Sequence, residues 1–346
     1  MRNLKSHILN LTIISNLISS ISNLTTVSNL MSHISNLISN LKYFSIVFTA
    51  LFLLTGTLKA QHAEADKTRQ QLIVLQDSMR SLNHKMYNGS SEPERINANY
   101  SFIKTLIAAL KKPRSFNYGF DSLKSISVLT ADDQRFKIFT WNIMNKDGSY
   151  RFYGTVQMNN PDGKLQMFPL VDYSSSFKNP KDSVTTNDKW FGAQYYKIIP
   201  VTYNVPIPYY ILLGWKGNTV KTTKKVIEVL YFKNNKAYFG HPVFENDKDN
   251  VNAKRIIFQY NRSVSMALNY EPKDGMIIFD HLSPPDEKLV GKFELYGPDF
   301  SYDGFRLQNG KWKLVEDLQL KNLPSGNDKL YNDPSKSAGA EAFKKK

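Results

Sequence analysis

Phe305-Arg306-Leu307-Gln308-Asn309-Gly310-Lys311-Trp312-Lys313-Leu314-Val315 reads as two strands and the turn between them. Apolar and polar residues alternate on both sides of Asn309-Gly310, as a strand with one buried face requires. Asn-Gly supplies two consecutive residues able to take positive φ, which the tightest hairpin turns demand. The same grammar runs back through the chain. Aromatic and β-branched runs fall at 135–144, 150–158, 165–171, 193–201, 208–215, 223–233, 236–240, 254–260, 264–270, 275–280, 291–296, 303–308 and 311–318. Asp147-Gly148, Asp162-Gly163, Asn234-Asn235 and Asp274-Gly275 punctuate them. Few helical patterns intervene, so βαβ units are not expected. The expected fold class is mainly β with N-terminal helices: an antiparallel multi-stranded meander, as a barrel, sandwich or small propeller, preceded by an αα-hairpin. No repeat recurs at a fixed period of about 40–50 residues, which counts against a regular propeller.

Upstream of residue 120 the period changes from two to near 3.6. Leu72, Leu75, Met79, Leu82 and Met86 lie on one helical stripe over 66–87. Asn88-Gly89-Ser90 ends that helix. Ser91 and Glu94 then form a capping box, with Pro93 in the first turn. Ile96, Tyr100, Ile103, Ile107 and Leu110 make the expected stripe of the second helix, which Pro113 stops. Each helix offers only two heptads, short of the three or four that argue coiled coil, so packing against each other and the β domain is expected before oligomerisation.

Outward from this body the ends differ. Residues 1–41 repeat Ser-Asn-Leu and contain no acid, which marks a low-complexity extension and possible start-codon artefact, with Met31 a later start. Lys42, the apolar run 43–57 and Ala60 before Gln61 describe a secretory signal over 42–60. The run is shorter than the roughly 20 residues that span a bilayer, although an uncleaved anchor is the competing reading. The expected domains are the signal, a helical hairpin over 61–119, an antiparallel β domain over 120–320 and a disordered basic tail over 321–346. The expected location is periplasmic or extracellular, with the chain soluble after cleavage near Ala60-Gln61 and membrane-bound only if the signal stays.

Composition narrows the partners. The chain has no cysteine, which excludes disulfides, thiol catalysis, cysteine-ligated zinc and a cysteine-linked lipid anchor. Four of its 45 basic residues and none of its 30 acids precede residue 61, so the remainder carries 41 against 30. Such a field favours anionic partners: lipopolysaccharide, acidic glycans or nucleic acid. No nucleic-acid module is present and export makes nucleic acid an unfavoured partner. Basic clusters stand at Lys111-Lys112-Arg114, Lys221-Lys224-Lys225 and Lys344–Lys346.

No glycine-rich phosphate loop, Gly-x-Ser-x-Gly elbow or His-Glu-x-x-His pattern occurs, and no cofactor is expected. His241 and His281 lie among the strands, where a shared metal site with a carboxylate is conceivable but lacks ligand spacing. The loop 245–250 has the oxygen atoms calcium favours without the helix–loop–helix frame. Trp141, Trp190, Trp215 and Trp312 stand in strand-like runs, where core is the commoner role than a stacking platform. The densest polar group is Asp299-Phe300-Ser301-Tyr302-Asp303, with Asp280-His281 and Glu316-Asp317 nearby in sequence. Asp280, His281, Asp299, Tyr302 and Asp303 are the candidate binding residues. Paired carboxylates there would also suit sugar hydrolysis, at a separation the mechanism sets.

The signal ending Leu58-Lys59-Ala60-Gln61, together with 209–218, Phe279-Asp280-His281-Leu282 and Tyr296-Gly297-Pro298-Asp299, resembles the uncharacterised secreted and periplasmic proteins of Bacteroidota. The likeness covers roughly 120–320 and implies export but no activity. Asp-Ser-apolar triplets at Asp77-Ser78-Met79, Asp121-Ser122-Leu123 and Asp182-Ser183-Val184 are similar to the O-glycosylation sequon of that phylum. Three functions are open: a non-enzymatic domain binding a glycan, envelope polymer or protein; a hydrolase of carbohydrate or peptidoglycan; and an assembly factor working through the hairpin.

Overall fold

The computed structural model describes residues 41–245, 248 and 253–318. The chain divides into two compact units, Met1–Arg69 and Gln70–Lys346. Two α-helices are followed by β-strands, mainly antiparallel, without a closed barrel. Helix α1 runs Leu41–Asn88 and helix α2 runs Glu92–Leu110. Among the described residues no helix is long and apolar enough to cross a membrane.

The cap of α2 forms with one displacement. Ser91 Oγ accepts from the Glu94 N–H at 3.3 Å, while the Glu94 carboxylate accepts from the Ser90 N–H at 2.9 Å rather than from the cap residue's own amide. The α1 stripe is as expected: Leu72, Met79 and Met86 are buried, with Leu75 and Leu82 beside them. The α2 stripe is as expected only in part, with Leu110 buried and Ile103 packed beside the core. Tyr100 is 53% exposed, and the buried face is Ala98, Asn99, Phe102, Leu106, Ala109 and Leu110. The β domain decides that rotation. Phe102 meets the Trp141 ring edge-on at 5.2 Å, and Asn99 Oδ1 accepts from the Trp141 indole N–H at 2.8 Å.

Strands β1 (Ser127–Thr130), β2 (Phe136–Met144), β3 (Tyr150–Met158) and β4 (Met167–Val171) form a meander in that order. A second sheet has the order β5 (Thr185–Thr186), β9 (Lys236–Phe239), β8 (Thr222–Lys233), β7 (Tyr209–Gly217), β6 (Gln194–Val201), with β11 (Ile256–Asn261) also paired to β8. A third runs β10 (Phe244–Glu245), β15 (Lys311–Val315), β14 (Gly297–Gln308), β13 (Met276–Ser283), β12 (Leu268–Glu271), and its β10–β15 pair is parallel.

The alternation of side chains makes these sheets layers. On β2, Phe139 and Trp141 join the core under the hairpin, while Phe136 and Ile138 join a core shared with the second sheet. On β7, Tyr210 and Leu212 face that same core, while Tyr209, Ile211 and Leu213 face a third core with Phe279, Phe305 and Trp312 of the last sheet. Three cores thus separate a helical layer and three sheets, a stacked arrangement rather than a barrel. The run 291–296 is not a strand. Phe293–Leu295 is a 3₁₀ turn, entered after Gly291 at φ 88°. Strands β1, β5 and β10 were not among the expected runs; the last two are two residues each.

Candidate functional site

The expected site residues separate into two groups. Asp280 and His281 are consecutive on β13 and leave it on opposite sides, as strand alternation requires. Asp280 Oδ2 accepts from the Ala267 N–H at 2.6 Å and ties down the approach to β12. Tyr302 is its cross-strand partner, and the Tyr302 carbonyl accepts from the Leu318 N–H at 2.7 Å. The pairing register shifts between Asp280 and Leu282, so His281 sits at a bulge that turns its ring toward β14. There Nδ1 lies 2.7 Å from Asp303 Oδ2, and Nε2 lies 3.9 Å from Asp299 Oδ2.

Each carboxylate is otherwise committed. Asp303 is buried, and its Oδ1 accepts from the Asp317 N–H at 3.0 Å. Asp299 Oδ1 accepts from the Ser301 hydroxyl at 2.7 Å and amide at 3.1 Å. Burial alone would raise Asp299, but these Ser301 bonds bring it below the ordinary aspartate value. The hydrogen bond to Asp303 raises His281 above the ordinary imidazole value; burial opposes this, and the charges of Asp303, Asp299 and Asp317 reinforce it. The result is an imidazole clamped between two carboxylates, joining β13, β14 and the segment after β15. Both carboxylates turn to one ring. Phe300, between them, takes a left-handed φ of 71° and is 93% exposed.

The other expected features fall elsewhere. His241 packs at 5.1 Å from the Tyr231 ring, and burial, with Lys311 and Lys254, lowers its pKa. Among the described residues no three His, Asp or Glu side chains gather as a metal centre would need. Most of the loop 245–250 and Lys344–Lys346 lie outside the described residues. Trp141, Trp190 and Trp312 are core, and Trp215 is half-buried against Tyr150 at 5.3 Å. Lys224 and Lys225 are half-buried and pushed down by burial, so they are not part of a fully solvated basic face.

Two concavities were not foreseen. The first, about 300 Å³, opens between the turn after α2 and the end of β3. Arg114, Phe116, Asn117, Gln157, Asn159 and Asn160 line it, with Asp162 and Lys164 at its loop side. Arg114 holds a left-handed φ of 56°, and Ser115–Asn117 follows as a 3₁₀ turn. That turn is pinned from below: the Lys137 ammonium donates to the Phe116 and Tyr118 carbonyls, each at 2.7 Å. Burial lowers Lys137 to about 8 against the pull of Asp121. Gln157 Nε2 donates to Ser115 Oγ at 2.9 Å, and Ser115 Oγ donates to the Leu110 carbonyl at 2.6 Å. Gln157 Oε1 is buried with no hydrogen-bond partner among the described residues. An unpaired buried acceptor costs about 1–3 kcal/mol unless something donates to it. The second concavity, about 280 Å³, lies between the end of α1 and residues 122–125.

No protein-family model, curated protein or solved structure matches the chain.

The sequence carries signals for the first cleft, each of which also has a commoner meaning. Asn159-Asn160-Pro161-Asp162-Gly163 looks like any hairpin turn, and its amides gain meaning only once Arg114–Asn117 folds beside them. Lys137, a lysine inside Phe136-Lys137-Ile138-Phe139, was the visible anomaly.

Proposed function

We propose that this is an exported envelope protein whose β domain binds a glycan without transforming it, through the cleft between Arg114–Asn117 and Gln157–Lys164. The observation that carries this reading is the partnerless Gln157 Oε1 in a cleft walled by amides. Sugar hydroxyls donate and accept at once, which is what side-chain amides answer. A volume of about 300 Å³ is at the lower end of small-molecule sites and suits one or two sugar units. Lys164 and Asp162 lie 3.8 Å apart at the rim and offset each other, which leaves Arg114 as the net charge of the lining. The signal-like segment 42–60 supports export.

The hydrolase reading draws less support, because Asp299 and Asp303 share one imidazole. The assembly reading draws less because Phe102, Leu106 and Leu110 of α2 are buried. The test is retention of purified protein on a panel of immobilised neutral and acidic glycans. Asn117→Ala with Asn160→Ala removes one exposed and one half-buried amide from the rim and should reduce retention by roughly tenfold, with unchanged thermal unfolding. Full retention in that double variant, or none by the parent on any glycan, would contradict the proposal.

A further inference from the structure

The second concavity has a different chemistry. It lies where the last turns of α1 pass the Ser122–Ser125 segment, and Arg80, His84 and Lys124 line it together with Asn83, Tyr87 and Ser122. Among the described residues no carboxylate lines it. The neighbouring acids are turned to other tasks. Asp77 forms an exposed pair with Arg80 at 3.3 Å, one turn earlier on the helix, and the Asp121 carboxylate lies against Gly119.

Two polar atoms at this cleft have no partner among the described residues. Asn83 is 4% exposed, and its Oδ1 is buried and unbonded. Ser122 Oγ is likewise buried without a partner. The Tyr87 hydroxyl is already committed, since it donates to the Ser125 carbonyl at 3.0 Å. Burial raises the Tyr87 phenol to about 12, so it stays neutral. An acceptor such as Asn83 Oδ1 needs a donor set apart from the anionic oxygens, which hydroxyls on a carbon frame supply and the P–OH of hydrogen phosphate, on the charged centre itself, does not. Arg80 and Lys124 bring two positive charges to the cleft against the single carboxylate of Asp77, and an anion answers the excess. A ligand that meets both demands carries a carboxylate and hydroxyl groups on one small frame.

We infer that this cleft binds an acidic sugar unit, its carboxylate against Arg80 and Lys124 and its hydroxyls on Asn83 Oδ1 and Ser122 Oγ. The volume of about 280 Å³ limits the occupant to about one sugar residue. The inference does not depend on the cleft at Gln157, because no residue lines both.

The experiment is a heteronuclear NMR titration of the protein with glucuronic acid, with glucose and inorganic phosphate as the probes that each lack one half of the chemistry. Glucuronic acid should give saturable shifts at the amides of Asn83, Tyr87, Lys124 and Ser125, while Asn117 and Asn160 stay still. Glucose and phosphate should each bind at least roughly tenfold more weakly. Arg80→Gln with Lys124→Gln, both exposed positions, should weaken glucuronic acid by roughly tenfold. Asn83→Leu should weaken it while leaving residual phosphate binding unchanged; should that variant fail to fold, the exposed double variant carries the decision alone. No saturable shift at this cleft, equal binding of phosphate, or full affinity in the double variant would overturn the inference.

Discussion

At the scale of single residues the most consequential side chain outside the clefts is Lys216. It lies on β7, is 4% exposed, and donates to Ser174 Oγ at 2.6 Å and to the Phe191 and Gly192 carbonyls at 2.8 Å each. The rings of Phe152 and Phe191 flank the ammonium at 4.6 and 4.7 Å. Asp172 anchors the same knot, accepting from the Phe152 and Ser174 amides. Burial lowers Lys216 to about 7, with Asp172 opposing. A folded pKa below the unfolded one means that the unfolded chain binds more protons between the two values. Stability should therefore rise with pH from about 7 toward 10.5, by at most ~1.4 kcal/mol per pH unit from this group. Urea unfolding at several pH values should show that rise in the parent, and Lys216→Met should flatten it. Equal slopes in both proteins would show that Lys216 is not held this way. The nearby Arg255–Glu228 pair is fully buried at 2.9 Å and is the same kind of internal fastening. None of these ion positions was foreseen, because a charged residue in an apolar run does not name its partner.

At the scale of elements, local chemistry was the most legible. Asn309 and Gly310 take φ values of 51° and 74°, the double positive turn that Asn-Gly favours, and Leu307 faces Trp312 across it. The run 150–158 matches β3 to the residue. Legibility fell where a neighbouring layer decides orientation. Ile96, Tyr100, Ile103 and Ile107 satisfy helical spacing as well as the face that is buried, and only Trp141 settles the choice, by its ring on Phe102 and its indole N–H on Asn99. Phe102→Ala should therefore destabilise the protein by about 3–5 kcal/mol, read by urea unfolding. A loss below ~1 kcal/mol would mean that α2 does not dock through this face.

At the scale of the whole molecule, the sequence foretold many antiparallel strands behind two helices but not their partition. The three cores arise because β2 and β7 are apolar on both faces, so each serves two layers. Such strands read as continuous apolar runs, which do not show which layer lies above or below. The candidate site followed the same rule. His281, Asp299 and Asp303 were found because they are neighbours on adjacent strands and near in sequence. The amide cleft was not, since it joins a turn after α2 to the end of β3 more than forty residues on. The most direct measurement is a crystal structure of the protein with a glycan that it retains. The account predicts sugar in the cleft beside Arg114–Asn117, with a hydroxyl within hydrogen-bond distance of Gln157 Oε1. Sugar bound instead beside Phe300, between Asp299 and Asp303 with His281 displaced, would contradict it.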